Sequence, residues 1–161
     1  MKCFLFAFIN YYENIPEKWV ILPLGNVLKV FSGQCINVKS NQNGLYPIYG
    51  GNGIVGYCNE YIVEPNTIII GRVGANCGCV HYTRSKSFIT DNALIVDKFT
   101  NCIIDEYLIL VLESKNLRKL SSSTAQPLIS GKTIYPLAIG IPSIRLQEKI
   151  ILKYNKIKNI I

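Results

Sequence analysis

The chain has little of what metal, nucleophilic or membrane chemistry requires. Of its 161 residues one is a histidine, His81, and it has no ligand companion at helical spacing. The six cysteines are Cys3, Cys35, Cys58, Cys77, Cys79 and Cys102, and none forms a Cys-x-x-Cys pair. Cys77-Gly78-Cys79 is too tight for the usual zinc spacing, so the cysteines read as free thiols of a reducing compartment. A Ser–His–acid or Cys–His site would have to use His81, which lies in a β-prone stretch with no orienting acid or activated nucleophile marked beside it. The ten acidic residues are scattered, and the adjacent pair Asp105-Glu106 stands where a helix N-terminus welcomes negative charge. No apolar run approaches the roughly eighteen residues of a membrane span. After Met1-Lys2 the apolar run Cys3–Ile9 is seven residues long and no small-x-small cleavage site follows. A buried first strand or helix is expected there, in a cytoplasmic protein.

What is present is a foldable core. Hydrophobic residues make up 49% and charged residues 17%, which excludes a disordered chain and suits one domain. Charge is segregated: residues 1–114 carry eight Lys/Arg against nine Asp/Glu, and residues 115–161 carry nine against one, Glu148. A one-sided basic region suits a polyanion, although a solvated face explains it equally.

Short β-prone runs separated by turn residues dominate the order of elements. Ile15–Trp19 reads as a turn, Val20–Leu24 and Val27–Phe31 as strands, and 40–44 as a loop. Tyr46–Tyr57 reads as strand, tight turn, strand. Thr67–Ile70, Cys79–Tyr82, Ser87–Thr90 and Ala93–Val96 are further strands, and Ile139–Pro142 is extended. Asp105 is expected to cap a helix over Glu106–Ser114, and Ser143 a terminal helix. On that helix Ile150, Tyr154, Ile157 and Ile161 form a heptad-like stripe, which docks on its own domain or on a partner helix. The class is α+β.

Gly71–Gly78 (Gly-Arg-Val-Gly-Ala-Asn-Cys-Gly) lacks the Gly-Lys-Ser/Thr ending of a P-loop and the helix and spacing of a dinucleotide fingerprint. Its glycines allow close approach to a ligand, and its amides with Arg72 could meet a phosphate or a base edge; a tight hairpin with Arg72 exposed is the plain alternative. The polar loop Ser121–Gln126, flanked by Lys119 and Lys132, carries groups that contact phosphates and bases, or is a linker. Tyr46, Tyr49 and Tyr57 could stack on bases or pack across a strand pair.

The order of these motifs is more specific than any one of them. Trp19 with Leu24-Gly25 comes first, then Tyr46-Pro47-x-Tyr49-Gly50-Gly51-Asn52-Gly53-Ile54-x-Gly56-Tyr57 and Ile69-Ile70-Gly71-Arg72-x-Gly74. Thr90-Asp91-Asn92-Ala93, Thr124-Ala125-Gln126-Pro127-x-Ile129 and Ile141-Pro142-Ser143 with Gln147 and Ile150 follow. This succession resembles the target-recognition domains of type I restriction–modification specificity subunits, from about Pro16 to Ile161.

The resemblance implies an α+β globular domain of many short strands, double β-helix-like, followed by a C-terminal helix. It divides the chain into a recognition domain, 1–142 (16–142 by resemblance), and the start of a helical arm, 143–161. It implies sequence-specific binding of double-stranded DNA without catalysis. The expected partners are an adenine-N6 methyltransferase subunit and a restriction endonuclease subunit, which hold the S-adenosylmethionine, ATP and Mg; a homodimer through the C-terminal helix is a further expectation. Arg72, Gly74, Asn76, Thr90, Asn92, Ser122, Ser123, Thr124 and Gln126 are expected at the DNA, with Lys119 and Lys132 on its backbone. Ile150, Tyr154, Ile157 and Ile161 are expected at the partner interface. The sequence departs from the family where Arg145-Leu146 precede Gln147, since acidic residues are common there. With one recognition domain and an arm that stops near Ile161, a half-subunit or truncated cassette is expected. Two other readings stay open: a remnant that docks a methyltransferase without reading DNA, and a recognition domain split from a fused restriction–methylation enzyme. The Asn/Asp-Pro-Pro-aromatic motif of adenine methyltransferases does not occur.

Overall fold

Ile68-Ile69-Ile70 is buried on both sides, and the fold is built around it. A computed structural model of the chain describes residues 19–35, 43–121 and 127–159. The expected first element at Cys3–Ile9, most of the turn before Trp19 and most of the 40–44 loop lie outside them.

The described strands are β1 Val20–Pro23, β2 Leu28–Ser32, β3 Tyr46–Gly50, β4 Gly53–Cys58, β5 Ile68–Gly71, β6 Val80–Tyr82, β7 Phe88–Ile89, β8 Ala93–Lys98 and β9 Ala138–Ile141. The helices are α1 Asp105–Ser114, α2 Gly131–Ile134 and α3 Ile144–Lys158, with 3-10 turns at Leu24–Asn26 and Leu117–Leu120. The strands pair in three sheets, ordered β2-β8-β5-β6, β4-β3-β7 and β1-β9. The pairings between these strands are antiparallel except β3 with β7, and an isolated bridge between Gln34 and Thr90 is also parallel.

The four-stranded sheet is the middle layer. Ile68 and Ile70 join Leu28, Leu94, Val96 and the helices in the main core, while Ile69 points the other way, to Tyr49, Val63, Ile89 and Ala93. A strand covered on both faces needs apolar side chains at every position, which is why it reads as an unbroken isoleucine run. The largest buried side chains, Leu, Ile and Tyr, each contribute roughly 1.5–3 kcal/mol by leaving water.

Helix α1 begins at Asp105, so the expected cap at Asp105 is corrected: Ile104 takes the cap position and supplies no side-chain bond. The Asp105 carboxylate accepts from Lys98 Nζ instead, at the end of β8. What caps the Ile104 amide is Gln147 from α3, whose Oε1 accepts at 2.9 Å while its Nε2 donates to the carbonyls of Cys102 (2.8 Å) and Pro142 (3.0 Å). Tyr107 Oη donates to Gly140 O at 2.8 Å, tying α1 to β9. Ser143 caps α3 as expected, its Oγ accepting from the Leu146 amide at 3.4 Å.

A candidate nucleic-acid interface

Three turns meet beside the end of β5. The first is Gly51-Asn52, the two-residue loop that joins β3 to β4 at the Gly50–Gly53 pair. The second is the 72–78 loop that follows β5, and the third is Thr90–Asn92, between β7 and β8. Backbone packing holds them together. Arg72 N donates to Asn92 O at 2.9 Å, and Ile129 N to Arg72 O at 2.9 Å. A Cβ on Gly71 would lie 2.3 Å from the Gly51 carbonyl oxygen and 2.7 Å from that of Asn76, so only glycine allows this approach.

Between the turns lies a cleft of about 530 Å³, lined by Gly50, Gly51, Asn52, Val55, Val73, Ala75, Asn76, Thr90 and Asn92. Its lining holds no ionisable side chain. Asn52, Asn76 and Asn92 are exposed on their turn tips, one from each turn. Thr90 is 5% exposed, and its Oγ1 is buried without a hydrogen-bond partner.

Arg72 stands next to the cleft rather than in its lining. Its Nη1 donates to Ser32 Oγ at 2.9 Å and to Asp91 O at 3.3 Å, which orients the guanidinium across β2 and the third turn. Gly74 takes φ +80°, and its amide donates to Pro127 O at 3.2 Å. The amides of Gly71, Arg72, Gly74, Cys77, Gly78 and Cys79 donate within the chain, whereas those of Val73, Ala75 and Asn76 make no backbone–backbone bond among the described residues.

His81 on β6 lies under the first turn. It is close to Gly53 and hydrogen-bonded to the Gly51 backbone, while its Nε2 is buried and unpartnered. Burial pushes its pKa below the ordinary histidine value, and the bond to Gly51 acts in the opposite direction.

The structure thus brings Arg72, Gly74, Asn76, Thr90 and Asn92 together. It does not bring Lys119 or Lys132 into the cleft lining: Lys119 is exposed on the 3-10 turn after α1, and Lys132 on α2. Ser122, Ser123, Thr124 and Gln126 lie outside the described residues, although their segment ends at Pro127, on the glycine loop. Asn52 was not among the expected contacts. The one sequence signal for it is its place between Gly51 and Gly53, which leaves its carboxamide alone at a bare hairpin tip. Of the tyrosines, Tyr49 is buried in the second core and Tyr46 packs on Tyr61 with ring centroids 5.0 Å apart, whereas Tyr57 is 41% exposed.

The partner stripe on α3 is also corrected. Ile150 and Tyr154 are buried in the chain's own core and Ile157 packs partly against it, so docking on its own domain is what occupies them. Ile161 lies outside the described residues. The basic residues Arg145, Lys149, Lys156 and Lys158 are exposed along the same helix.

Residues 16–159 match the family described as type I restriction modification DNA specificity domain. The chain is similar to the specificity subunit of the type I restriction enzyme EcoprrI of Escherichia coli, 32% identical over 129 residues that cover 77% of this chain and 32% of that protein. The fold is similar to the crystal structure of a type I restriction-modification S subunit from M. genitalium, with a TM-score of 0.74 at 20% identity, over 96% of this chain and 45% of that one. It is likewise similar to the HsdS subunit of Thermoanaerobacter tengcongensis, with a TM-score of 0.72 at 16% identity, over 98% and 43%. The chain therefore spans about a third to under half the length of these relatives. With a family match over nearly its whole length, it belongs to the type I restriction modification DNA specificity domain family.

Proposed function

We propose that this chain reads one part of a bipartite site on double-stranded DNA and directs adenine-N6 methylation and restriction by partner subunits. The observation that carries the reading is the convergence of three turns, each tipped by an asparagine, at one neutral cleft beside Arg72. Sequence is read by hydrogen-bonding groups at base edges, while cations beside them hold phosphates. Both kinds of group are supported on strand ends braced by backbone bonds, so they are preorganised.

In this reading the chain performs no catalysis. The methyl donor, ATP and Mg are bound by the methyltransferase and endonuclease subunits. Its place of work in this reading is the cytoplasm; among the described residues no helix is long and apolar enough to cross a membrane. The exposed basic side of α3 is available to phosphates or to a partner subunit.

Co-expression with a methyltransferase subunit from the same genome, followed by single-molecule mapping of N6-methyladenine, tests this. A new bipartite motif that disappears with deletion of residues 121–126, and is written at lower occupancy with Arg72→Ala, is the expected result. An intact complex that writes no motif would overturn it in favour of the docking remnant.

A further inference from the structure

We infer that the cleft takes the major-groove edge of an A·T base pair, with Asn52, Asn76 and Asn92 as the groups that select adenine. This rests on the reading that the chain binds duplex DNA, and goes further by naming the base pair.

The chemistry of the lining makes the choice. Adenine presents a ring-nitrogen acceptor beside an amino donor, and a carboxamide answers both in one plane. Guanine presents two acceptors and calls for two donors, best from Arg or Lys, and neither type lines the cleft. Cytosine presents a donor that a carboxylate accepts best, and no carboxylate lines it either. The partner thymine carries a methyl group, and Val55, Val73 and Ala75 supply apolar surface in the same cleft.

Thr90 adds an independent observation. A buried hydroxyl without a partner is costly to a folded protein, and this one borders the cleft. A hydroxyl both donates and accepts, so it can complete a contact with a base edge that the asparagines orient. Arg72 is set apart from this reading, because its Nη1 is already held by Ser32 and the Asp91 carbonyl.

The test uses the full chain and a pool of double-stranded oligonucleotides with a randomised centre, from which bound duplexes are selected and sequenced. The wild-type chain is expected to select a motif containing A·T positions. Asn52→Ala, Asn76→Ala and Asn92→Ala should each relax the preference at the A·T position that the cleft takes by about tenfold, with the positions outside it and the salt dependence kept. Thr90→Val, close in shape, should relax the same region. Asn→Asp at the same three sites supplies a readout that misfolding cannot imitate. It replaces a donor by an acceptor, so cytosine should displace adenine at the affected position.

A motif unchanged in all the variants overturns the assignment while leaving DNA recognition standing. So does a wild-type motif made only of G·C positions, or an even loss at every position with a flatter salt dependence. A wild-type chain that selects no motif overturns the recognition reading and the assignment with it.

Discussion

Arg72 Nη1 donates to the hydroxyl of Ser32 at 2.9 Å, so the residue after β5 is oriented by the last residue of β2, forty positions earlier. A guanidinium held this way is a fixed positive charge beside the cleft, suited to a phosphate. Arg72→Ala is expected to weaken binding to all duplexes alike and to lower the salt slope by about one. Ser32→Ala keeps the charge and frees its geometry, so a smaller loss with an unchanged slope is expected. Dissociation constants across a salt series check both.

Gln147 joins α3, the start of α1 and the end of β9 through three hydrogen bonds while fully buried. Gln147→Leu would strand the Ile104 amide and two carbonyls, at a cost of about 3 kcal/mol. A fall in Tm of about 10 °C in thermal unfolding is expected for a domain of this size.

Two glycines of one loop should respond unequally. A Cβ at Gly71 meets two backbone oxygens that cannot move aside, so Gly71→Ala should prevent the three turns from assembling. At Gly74 a Cβ meets nothing within 4 Å, and the cost is only that of φ +80° for an alanine, about 1 kcal/mol. Circular dichroism and chemical denaturation of both variants separate the two effects.

His81 is the chain's one histidine, and burial lowers its pKa from the ordinary value of 6.5. The unfolded chain therefore takes up the proton first as pH falls. The contribution of His81 to stability is complete above about pH 6.5 and is lost as pH drops from there through its lower folded value. Denaturation at pH 7.5, 6.5 and 5.5 should show falling stability, and His81→Gln should flatten the profile.

Ile150 is fully buried in the chain's own core. Ile150→Ala should cost about 2–5 kcal/mol of stability and leave the elution volume of the folded protein unchanged. A change of oligomeric state with undiminished stability would instead place the residue in an interface between chains.

Local pattern determined most elements on its own. Tyr46–Tyr57 was legible as a hairpin because glycines bracket a two-residue turn, and Ile68–Ile70 as a strand because β-branched residues resist other conformations. The helix over 105–114 was legible by its apolar run, but its cap was not. Asp105 has the usual cap chemistry, yet Lys98 draws its carboxylate away, and Gln147, 43 residues from Ile104, takes over the amide. The α3 stripe was legible as a docking surface, while its occupant was not, since period alone does not say what lies opposite.

The sequence by itself determined the family, the α+β class and the glycine loop, because these reside in local patterning and in the order of motifs. Only the tertiary structure decided which polar residues share a site. Asn52, Asn76 and Asn92 are separated along the chain and meet because strand pairing and the close approach of Gly51 to Gly71 bring their turns together. The structure also decided that six of the nine amides from Gly71 to Cys79 are spent internally, because a backbone donor withdrawn from water takes the nearest carbonyl, and here that carbonyl lies within the fold.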